Sequence, residues 1–147
     1  MSTNDFLEVK FISSNKGRGL FAKKNIEKGK VIDVAYVILI SNTDRKQIKK
    51  TRVANYCFYW ENPKYKSEYK VSLAMTICQF INHSFRPNVK YEINYKNDTI
   101  KFTTIRDIKK GEELTMNYNK NSTEKSPVWY DFLLHIFTLI KFYFYKR

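Results

Sequence analysis

Residues 80–88 read Phe80-Ile81-Asn82-His83-Ser84-Phe85-Arg86-Pro87-Asn88, a stretch rich in short polar side chains. Asn, His and Ser side chains compete with the backbone for hydrogen bonds, so we expect this stretch to leave regular structure and form a fixed loop. His83 suggests a general base, but no nucleophile context of Ser or Cys accompanies it. We favour the alternative, a buried histidine that organises its loop through hydrogen bonds.

Two further stretches carry possible chemistry. The first, near the N-terminus, reads Asn15-Lys16-Gly17-Arg18-Gly19-Leu20-Phe21. Two glycines flanking one residue allow the backbone to approach a ligand closely. Alone, this pattern is usually a turn, and it lacks the third glycine and the helix of a dinucleotide-binding site. The second, residues 111–118, reads Gly-Glu-Glu-Leu-Thr-Met-Asn-Tyr and taken singly is a turn that enters a strand.

The remaining sequence predicts many short strands separated by turns. Strands are expected over residues 6–13, 20–22, 31–40, 56–60, 89–95, 99–105 and 114–118. Residues 31–40 are rich in Val and Ile, which predicts a buried strand. Residues 44–52 suit a short helix or a mobile loop, and residues 71–81 are ambiguous between strand and helix. The 147 residues therefore predict one mostly β domain.

The C-terminal segment differs from the rest of the chain. Residues 128–145 are apolar and aromatic, and their number suits a helix of about five turns. Asp131, His135 and Lys141 interrupt the apolar stretch, whereas a transmembrane span needs roughly 20 mostly apolar residues. We therefore predict a domain over residues 1–127 and an aromatic helix over residues 128–147. This helix would pack on the domain, on a partner or on a membrane surface, and it is a candidate homodimer contact.

Charge and cysteine content restrict the partners and the setting. The formal net charge of +13 predicts attraction to nucleic acid, chromatin-like complexes or anionic membrane, without choosing among them. Cys57 and Cys78 are isolated, which argues against a structural zinc site and fits a reduced, intracellular setting. The N-terminus lacks a basic stretch followed by an apolar run, so no secretory signal peptide is expected.

The three stretches together, in this order and spacing, resemble the SET-domain family of protein lysine methyltransferases. The resemblance covers roughly Glu8 to Tyr118 and includes the turns at residues 27–29 and 107–111. It implies a β-clip of small sheets, with a C-terminal segment that threads under a loop as a pseudoknot. It also implies S-adenosylmethionine as the cofactor, S-adenosylhomocysteine as the product and no metal.

The resemblance assigns roles to individual residues. It implies that the cofactor contacts Lys16, Gly17, Arg18, Gly19, Asn82 and His83. Tyr118 would lie where the methyl donor meets the lysine nitrogen, so it is the catalytic candidate. The aromatic residues Tyr56, Phe58, Tyr59 and Trp60 fall where the family places substrate recognition. We expect one or two of these rings to line the substrate channel, with Tyr56 and Tyr59 as candidates, and the others to enter the core.

The chain also departs from the family pattern. Many members carry a cysteine-rich zinc module after the core, which is lacking here, and small members use aromatic residues of the following segment instead. Trp129 is therefore expected to stack on the adenine. Met116, a further channel candidate, stands where an aromatic residue is common, Asn117 where aspartate is common, and Gln79 where arginine is usual. These changes leave the number of methyl groups transferred open.

The expected activity is methyl transfer to lysine in a histone or another basic protein. Because the chain itself is positive, a nucleosome or another nucleic-acid-bound substrate makes better electrostatic sense than a free basic tail. One alternative is a catalytically inactive SET fold that serves as a binding module for chromatin or a protein partner. Another is a plain nucleic-acid-binding barrel, which explains the charge but not the three motifs.

Overall fold

A computed structural model describes residues 5–14, 16–65, 68–119, 123 and 125–126. The predicted helix over residues 128–147 lies outside these residues, and so does Trp129. Within the described residues the chain forms nine strands and one α-helix. These are β1 (Leu7–Ser13), β2 (Gly17–Ala22), β3 (Val31–Ser41), α1 (Asn42–Ile48), β4 (Cys57–Tyr59), β5 (Tyr69–Ala74), β6 (Asn82–His83), β7 (Val89–Asn94), β8 (Thr99–Thr104) and β9 (Glu113–Met116). No helix in these ranges is long and apolar enough to cross a membrane.

The strands form small sheets that share members. Neighbouring strands follow the order β1-β2-β9-β7-β8-β3-β5-β4, and β6 pairs with β9 away from this path. The joints at β9 are short: Leu20 and Phe21 of β2 pair with Leu114 and Glu113, and a single pair, Val89 with Met116, joins β7. The prediction of a mostly β fold of small sheets is therefore confirmed.

The last described strand lies among strands that precede it in the sequence. Strand β9 is placed between β2 and β7 and runs parallel to β6, with Asn82 opposite Thr115 and His83 opposite Met116. Three stretches that are distant along the chain are thereby brought to one place. The position of β9 agrees with the expected pseudoknot, and the threading under a loop stays a prediction.

The long strand β3 corrects one expectation, since it is not buried along its whole length. Ile32 and Ala35 are 5% and 4% exposed, but Val34, Tyr36 and Ile38 are 52%, 74% and 52% exposed. Strands β8 and β5 pair antiparallel with successive parts of β3, and between residues 34 and 39 side chains alternate between the surface and the interior. The Val and Ile content therefore reflects a general preference of these residues for strands rather than complete burial.

The two ambiguous stretches are resolved by local capping. Helix α1 begins after Ser41, whose hydroxyl oxygen accepts a hydrogen bond from the Asp44 backbone N–H at 3.1 Å. Residues 71–81 divide into the end of β5 and a 3-10 helix, Ile77–Phe80. Thr76 caps that helix by accepting from the Cys78 N–H at 3.1 Å. The strands predicted over residues 89–95 and 99–105 are observed as β7 and β8, which form an antiparallel hairpin, and Asp98 takes a positive φ of 49° in its turn.

Candidate active site

The glycine pair, the Asn-His stretch and strand β9 meet at Gly19. The Asn82 side-chain amide donates to the Arg18 carbonyl oxygen at 3.2 Å and to the Glu113 carboxylate at 2.7 Å. A Cβ atom on Gly19 would lie 2.8 Å from Glu113 Oε1, 3.0 Å from Asn82 Nδ2 and 2.6 Å from Ile12 Cδ1. A side chain at Gly19 would therefore have to displace side-chain ends from three segments. Its φ is not in the left-handed region, unlike the φ of +74° at Gly17.

A buried asparagine fixes the loop that follows the Asn-His stretch. Asn88 is 1% exposed, and its side-chain amide donates to the Glu113 carbonyl oxygen at 2.8 Å and to Glu112 Oε1 at 3.2 Å. Its own side-chain oxygen accepts from the Thr115 N–H at 2.8 Å. The asparagine that ends the 80–88 stretch thus ties this loop to the strand that leads to Tyr118.

His83 organises its surroundings, as the sequence suggested, but it is half-buried rather than buried. Its Nδ1 atom accepts a hydrogen bond from the Tyr118 backbone N–H at 3.1 Å. The rings of His83 and Tyr118 lie 5.3 Å apart, and the Phe85 ring meets His83 edge-on at 4.5 Å. The expectation that the Asn-His stretch leaves regular structure was wrong at Asn82 and His83, because they pair in parallel with β9. Pairing with β9 supplies hydrogen-bond partners for the backbone N–H and C=O groups of these two residues, and the sequence alone does not reveal this pairing.

Tyr118 is held in a single orientation as a neutral phenol. Its hydroxyl donates to the Ile81 carbonyl oxygen at 3.0 Å. Burial, followed by the nearby Tyr56 and Glu113, raises the pKa of Tyr118 to about 12. At neutral pH the group therefore keeps its proton and acts as a hydrogen-bond donor rather than as a base.

On its other side, Tyr118 opens into a pocket of about 320 Å³. The predicted channel residues Tyr56, Tyr59 and Met116 all line this pocket together with Tyr118. Helix α1 forms part of the wall and contributes Arg45 and Ile48, and its C-terminal cap, Lys49, lines the pocket as well. The described lining is therefore aromatic in large part, carries two basic side chains and includes the catalytic candidate.

The aromatic residues of the 56–60 segment divide between pocket and core. Tyr56 and Tyr59 are 43% and 73% exposed. Trp60 is completely buried and packs edge-on against Tyr95, with 5.1 Å between ring centroids. Phe58 is buried against Tyr91 at 5.2 Å, although its edge also reaches the pocket.

The predicted cofactor-binding residues differ in how directly they are connected to Tyr118. The Arg18 carbonyl, Gly19, Asn82 and His83 form a continuous chain of contacts to Tyr118. Lys16 and Gly17 lie at the start of β2, where the Lys16 N–H donates to the Ser13 hydroxyl at 3.1 Å.

Sequence reasoning did not identify Glu113, Arg45 or Lys49. Glu113 could have been singled out because it starts the strand that leads to Tyr118. Nothing in the sequence places α1 beside the pocket.

The polar corner at Asn82 suits a cationic ligand with both donors and acceptors. The Arg18 carbonyl oxygen and the Glu113 carboxylate are acceptors, and the Asn82 amide joins them. An ammonium or a sulfonium group is favoured beside such oxygens, because an adjacent opposite charge stabilises a cation. The side chains present therefore fit the methionine part of S-adenosylmethionine.

Comparisons with known proteins agree with this geometry. The sequence model of the SET domain matches residues 17–119. A histone-lysine N-methyltransferase specific for H3 lysine 37, from Schizosaccharomyces pombe, is 33% identical over 107 residues, which are 72% of this chain and 69% of that protein. Histone-lysine N-methyltransferase EZH2 of Chaetomium thermophilum is 32% identical over 71% of this chain, but this match spans only 8% of that protein.

Solved structures show the same fold. The Chaetomium thermophilum polycomb repressive complex 2 bound to S-adenosylmethionine has a TM-score of 0.60 at 28% identity, over 80% of this chain and 16% of that one. A Plasmodium falciparum histone methyltransferase structure has a TM-score of 0.57 at 21% identity, over 78% of this chain and 94% of that one. The chain belongs to the SET-domain family, and the relatives that it matches support protein-lysine methylation as its activity.

Proposed function

We propose that this SET-domain protein transfers a methyl group from S-adenosylmethionine to a lysine side chain of a histone or another basic protein. The observation that carries the proposal is that two consecutive residues join the glycine segment to Tyr118: Asn82 donates to the Arg18 carbonyl oxygen, and His83 accepts from the Tyr118 backbone N–H. It joins a corner suited to a sulfonium cation to a pocket that accepts a long side chain. Residues 1–127 would supply this site, and Trp129 would cover the adenine.

The reaction mainly requires alignment and exclusion of water. The bound cofactor supplies an intrinsically electrophilic methyl group on sulfur. Asn82 and the Arg18 carbonyl would hold the methionine part, and the backbone at Gly17 and Gly19 would allow its close approach. Fixing two reactants in line removes much of the entropic barrier of a two-molecule reaction.

The incoming lysine has to be neutral, because an ammonium group has no lone pair. Free lysine has a pKa of about 10.4. The partly apolar walls at Tyr56, Tyr59 and Met116 disfavour the charged form, and positive charge nearby acts in the same direction. The neutral Tyr118 hydroxyl would orient the amine, and aromatic faces would accommodate a methylated ammonium through cation–π contact.

The proposed substrate is a histone within a nucleosome rather than a free tail. The formal net charge of +13 disfavours a free basic tail and favours a substrate that presents phosphates. Lys46, Lys50 and Arg52 are exposed beside the site and could contact nucleic acid. Such a substrate implies an intracellular, chromatin-containing compartment. Homodimerisation through residues 128–147 stays a separate prediction, which a mass measurement in solution would test.

Transfer of a labelled methyl group to histones and to reconstituted nucleosomes tests the proposal. Replacement of Tyr118 by Phe should lower kcat about 100-fold, because the hydroxyl that orients the amine is lost. Tyr36→Phe is the matched control, since Tyr36 is 74% exposed and lies outside the described pocket lining. Equal transfer by the Tyr118 variant and by wild type would remove Tyr118 from its role.

Calorimetry with S-adenosylmethionine separates the enzyme from the inactive binding module. The proposal requires saturable binding by the wild-type chain. No heat and no thermal shift with the cofactor would favour the module, and strong salt-sensitive DNA binding without cofactor binding would favour the plain nucleic-acid-binding barrel.

A further inference from the structure

Two basic side chains form one wall of the pocket. Arg45 and Lys49 both line it, and they stand four residues apart at the end of α1, where the Lys49 N–H donates to the Arg45 carbonyl oxygen at 3.0 Å. Residues four apart lie on the same face of a helix, so the two charges are adjacent. The pocket therefore carries a local double positive charge beside the channel residues.

This charge is not neutralised within the described part of the chain. The described residues that line the pocket include no Asp or Glu. No ion pair among the described residues involves Arg45 or Lys49. The neighbouring carboxylate, Asp44, is occupied by the Ser41 hydroxyl, which donates to its Oδ2 at 2.8 Å. Two adjacent cations without a partner in a concave site suit an anionic ligand.

The shape of the site favours a side chain over a nucleic acid as that ligand. A pocket of about 320 Å³ admits a few side chains, whereas a DNA duplex is far wider and would contact only the exposed rim. Lys46 and Lys50 are exposed and absent from the described lining, so they are the candidates for phosphate contacts. Arg45 is half-buried and Lys49 is exposed, and both line the pocket, so a side chain that enters the pocket beside the target lysine can contact them.

We infer that Arg45 and Lys49 bind an anionic side chain of the protein substrate, an Asp, Glu or phosphoserine close in sequence to the lysine that is methylated. The inference rests on the proposed function, because it takes the pocket to be the substrate channel. An extended peptide advances about 3.3 Å per residue, so in a pocket of this size the anion lies roughly two to four residues from the lysine. The enzyme then prefers a target lysine that has a negatively charged residue nearby in the sequence, even when the substrate protein is basic as a whole.

Peptides with one target lysine and a variable residue three positions away test this inference. The variable residue is Glu, phosphoserine, Gln or Lys, and kcat/KM is measured for each peptide. With wild type, the Glu peptide should exceed the Gln peptide by about tenfold and the Lys peptide by more, since one charge-assisted hydrogen bond is worth at least that much. The phosphoserine peptide shows whether carboxylate or phosphate is the better ligand. The position of the variable residue is scanned on both sides of the lysine.

The double variant Arg45→Gln/Lys49→Gln should reduce the Glu-to-Gln ratio to about one. Gln is a good helix former, so α1 is retained, and circular dichroism checks this. The matched control is Lys24→Gln/Lys96→Gln, which removes the same charge from exposed residues outside the described pocket lining and should keep the ratio. A wild-type preference for Gln or Lys peptides, or a ratio unchanged in the double variant, overturns the inference.

Peptide binding measured by fluorescence anisotropy separates the two proposals. If no peptide is methylated but the Glu peptide still binds about tenfold more tightly than the Gln peptide, and only while Arg45 and Lys49 are present, the charge inference stands and the proposed activity fails. If peptides are methylated without regard to the variable residue, the activity stands and the charge inference fails. Loss of DNA binding in the double variant, with peptide preference unchanged, would assign the two cations to nucleic acid and overturn the inference as well.

Discussion

The two sides of Tyr118 are built in different ways. On the Gly19 side, three chain segments approach so closely that a single methyl group has no space, and Asn82 is held by two hydrogen bonds. On the α1 side, Tyr56 and Tyr59 line an open pocket and are 43% and 73% exposed. Close packing and directed hydrogen bonds make the first side intolerant of change, whereas the second side has room for variation. This division is what an enzyme with a fixed cofactor and a variable substrate requires.

Replacement of Gly19 by Ala should produce the largest effect. The added Cβ would displace the Asn82 and Glu113 side chains, because both lie within 3.0 Å of its position. We expect cofactor affinity to fall about 100-fold, which is about 3 kcal/mol. Calorimetry with S-adenosylmethionine, combined with thermal unfolding, measures both consequences.

Gly29→Ala is the control for this comparison. Gly29 has a φ of +83° and nothing within 4 Å of an added Cβ, so only backbone strain of about 1 kcal/mol is expected, with unchanged cofactor affinity. Equal losses of affinity in the two variants would show that the close approach at Gly19 has no special importance.

Tyr118, which lies between the two sides, should make the free energy of unfolding depend on pH. The pKa of Tyr118 is raised to about 12, above the value of about 10 for an exposed tyrosine. The folded protein thus holds this proton more tightly than the unfolded chain does. Its contribution is present below pH 10 and is lost as the pH rises from about 10 to about 12, by roughly 2 kcal/mol.

Urea unfolding of wild type and of Tyr118→Phe over this pH range separates the effect of Tyr118 on stability from the effect of the lysines, because the lysines titrate in both proteins. Wild type should lose about 2 kcal/mol more than the variant. Identical slopes for the two proteins would mean that Tyr118 is as solvated as a free phenol.

Glu113 should act as a positioning residue on the close-packed side. Its Oε1 accepts from the Asn82 amide at 2.7 Å, and its charge also reaches Tyr118. Glu113→Ala should weaken cofactor binding about tenfold, because the Asn82 side chain loses its orientation. Glu113→Gln keeps an acceptor oxygen and should recover most of the affinity. Failure of Gln to restore binding would attribute the effect to charge rather than to position.

Tyr59→Ala should give the smallest effect, because it changes the open side. Tyr59 is 73% exposed, so the free energy of unfolding should change by no more than about 0.5 kcal/mol. We expect kcat/KM for a peptide substrate to fall about fivefold, with cofactor affinity unchanged. Tyr36→Ala removes an equally exposed ring from β3, outside the described pocket lining, and should change neither value. A loss of cofactor affinity in Tyr59→Ala would contradict the separation of the two sides.

The sequence by itself determined most of the strand pattern and the family, and it singled out Tyr118, Asn82 and Gly19 as site candidates. These follow from local rules, because turn residues, alternation and motif order are written along the chain. It also named Tyr56 and Tyr59 as channel candidates and assigned the other rings of this segment to the core.

Only the tertiary structure decided which face of β3 is buried, that Asn82 bonds Glu113, and that Arg45 and Lys49 line the pocket. Each of these depends on contacts between residues far apart in the sequence: 31 residues separate Asn82 from Glu113. Hydrogen bonding and packing act through space, and a strand inserted between earlier strands leaves no periodic trace in the chain. The motifs therefore indicate the chemistry of the site. Its electrostatic selectivity arises only when folding brings Arg45 and Lys49 to the pocket.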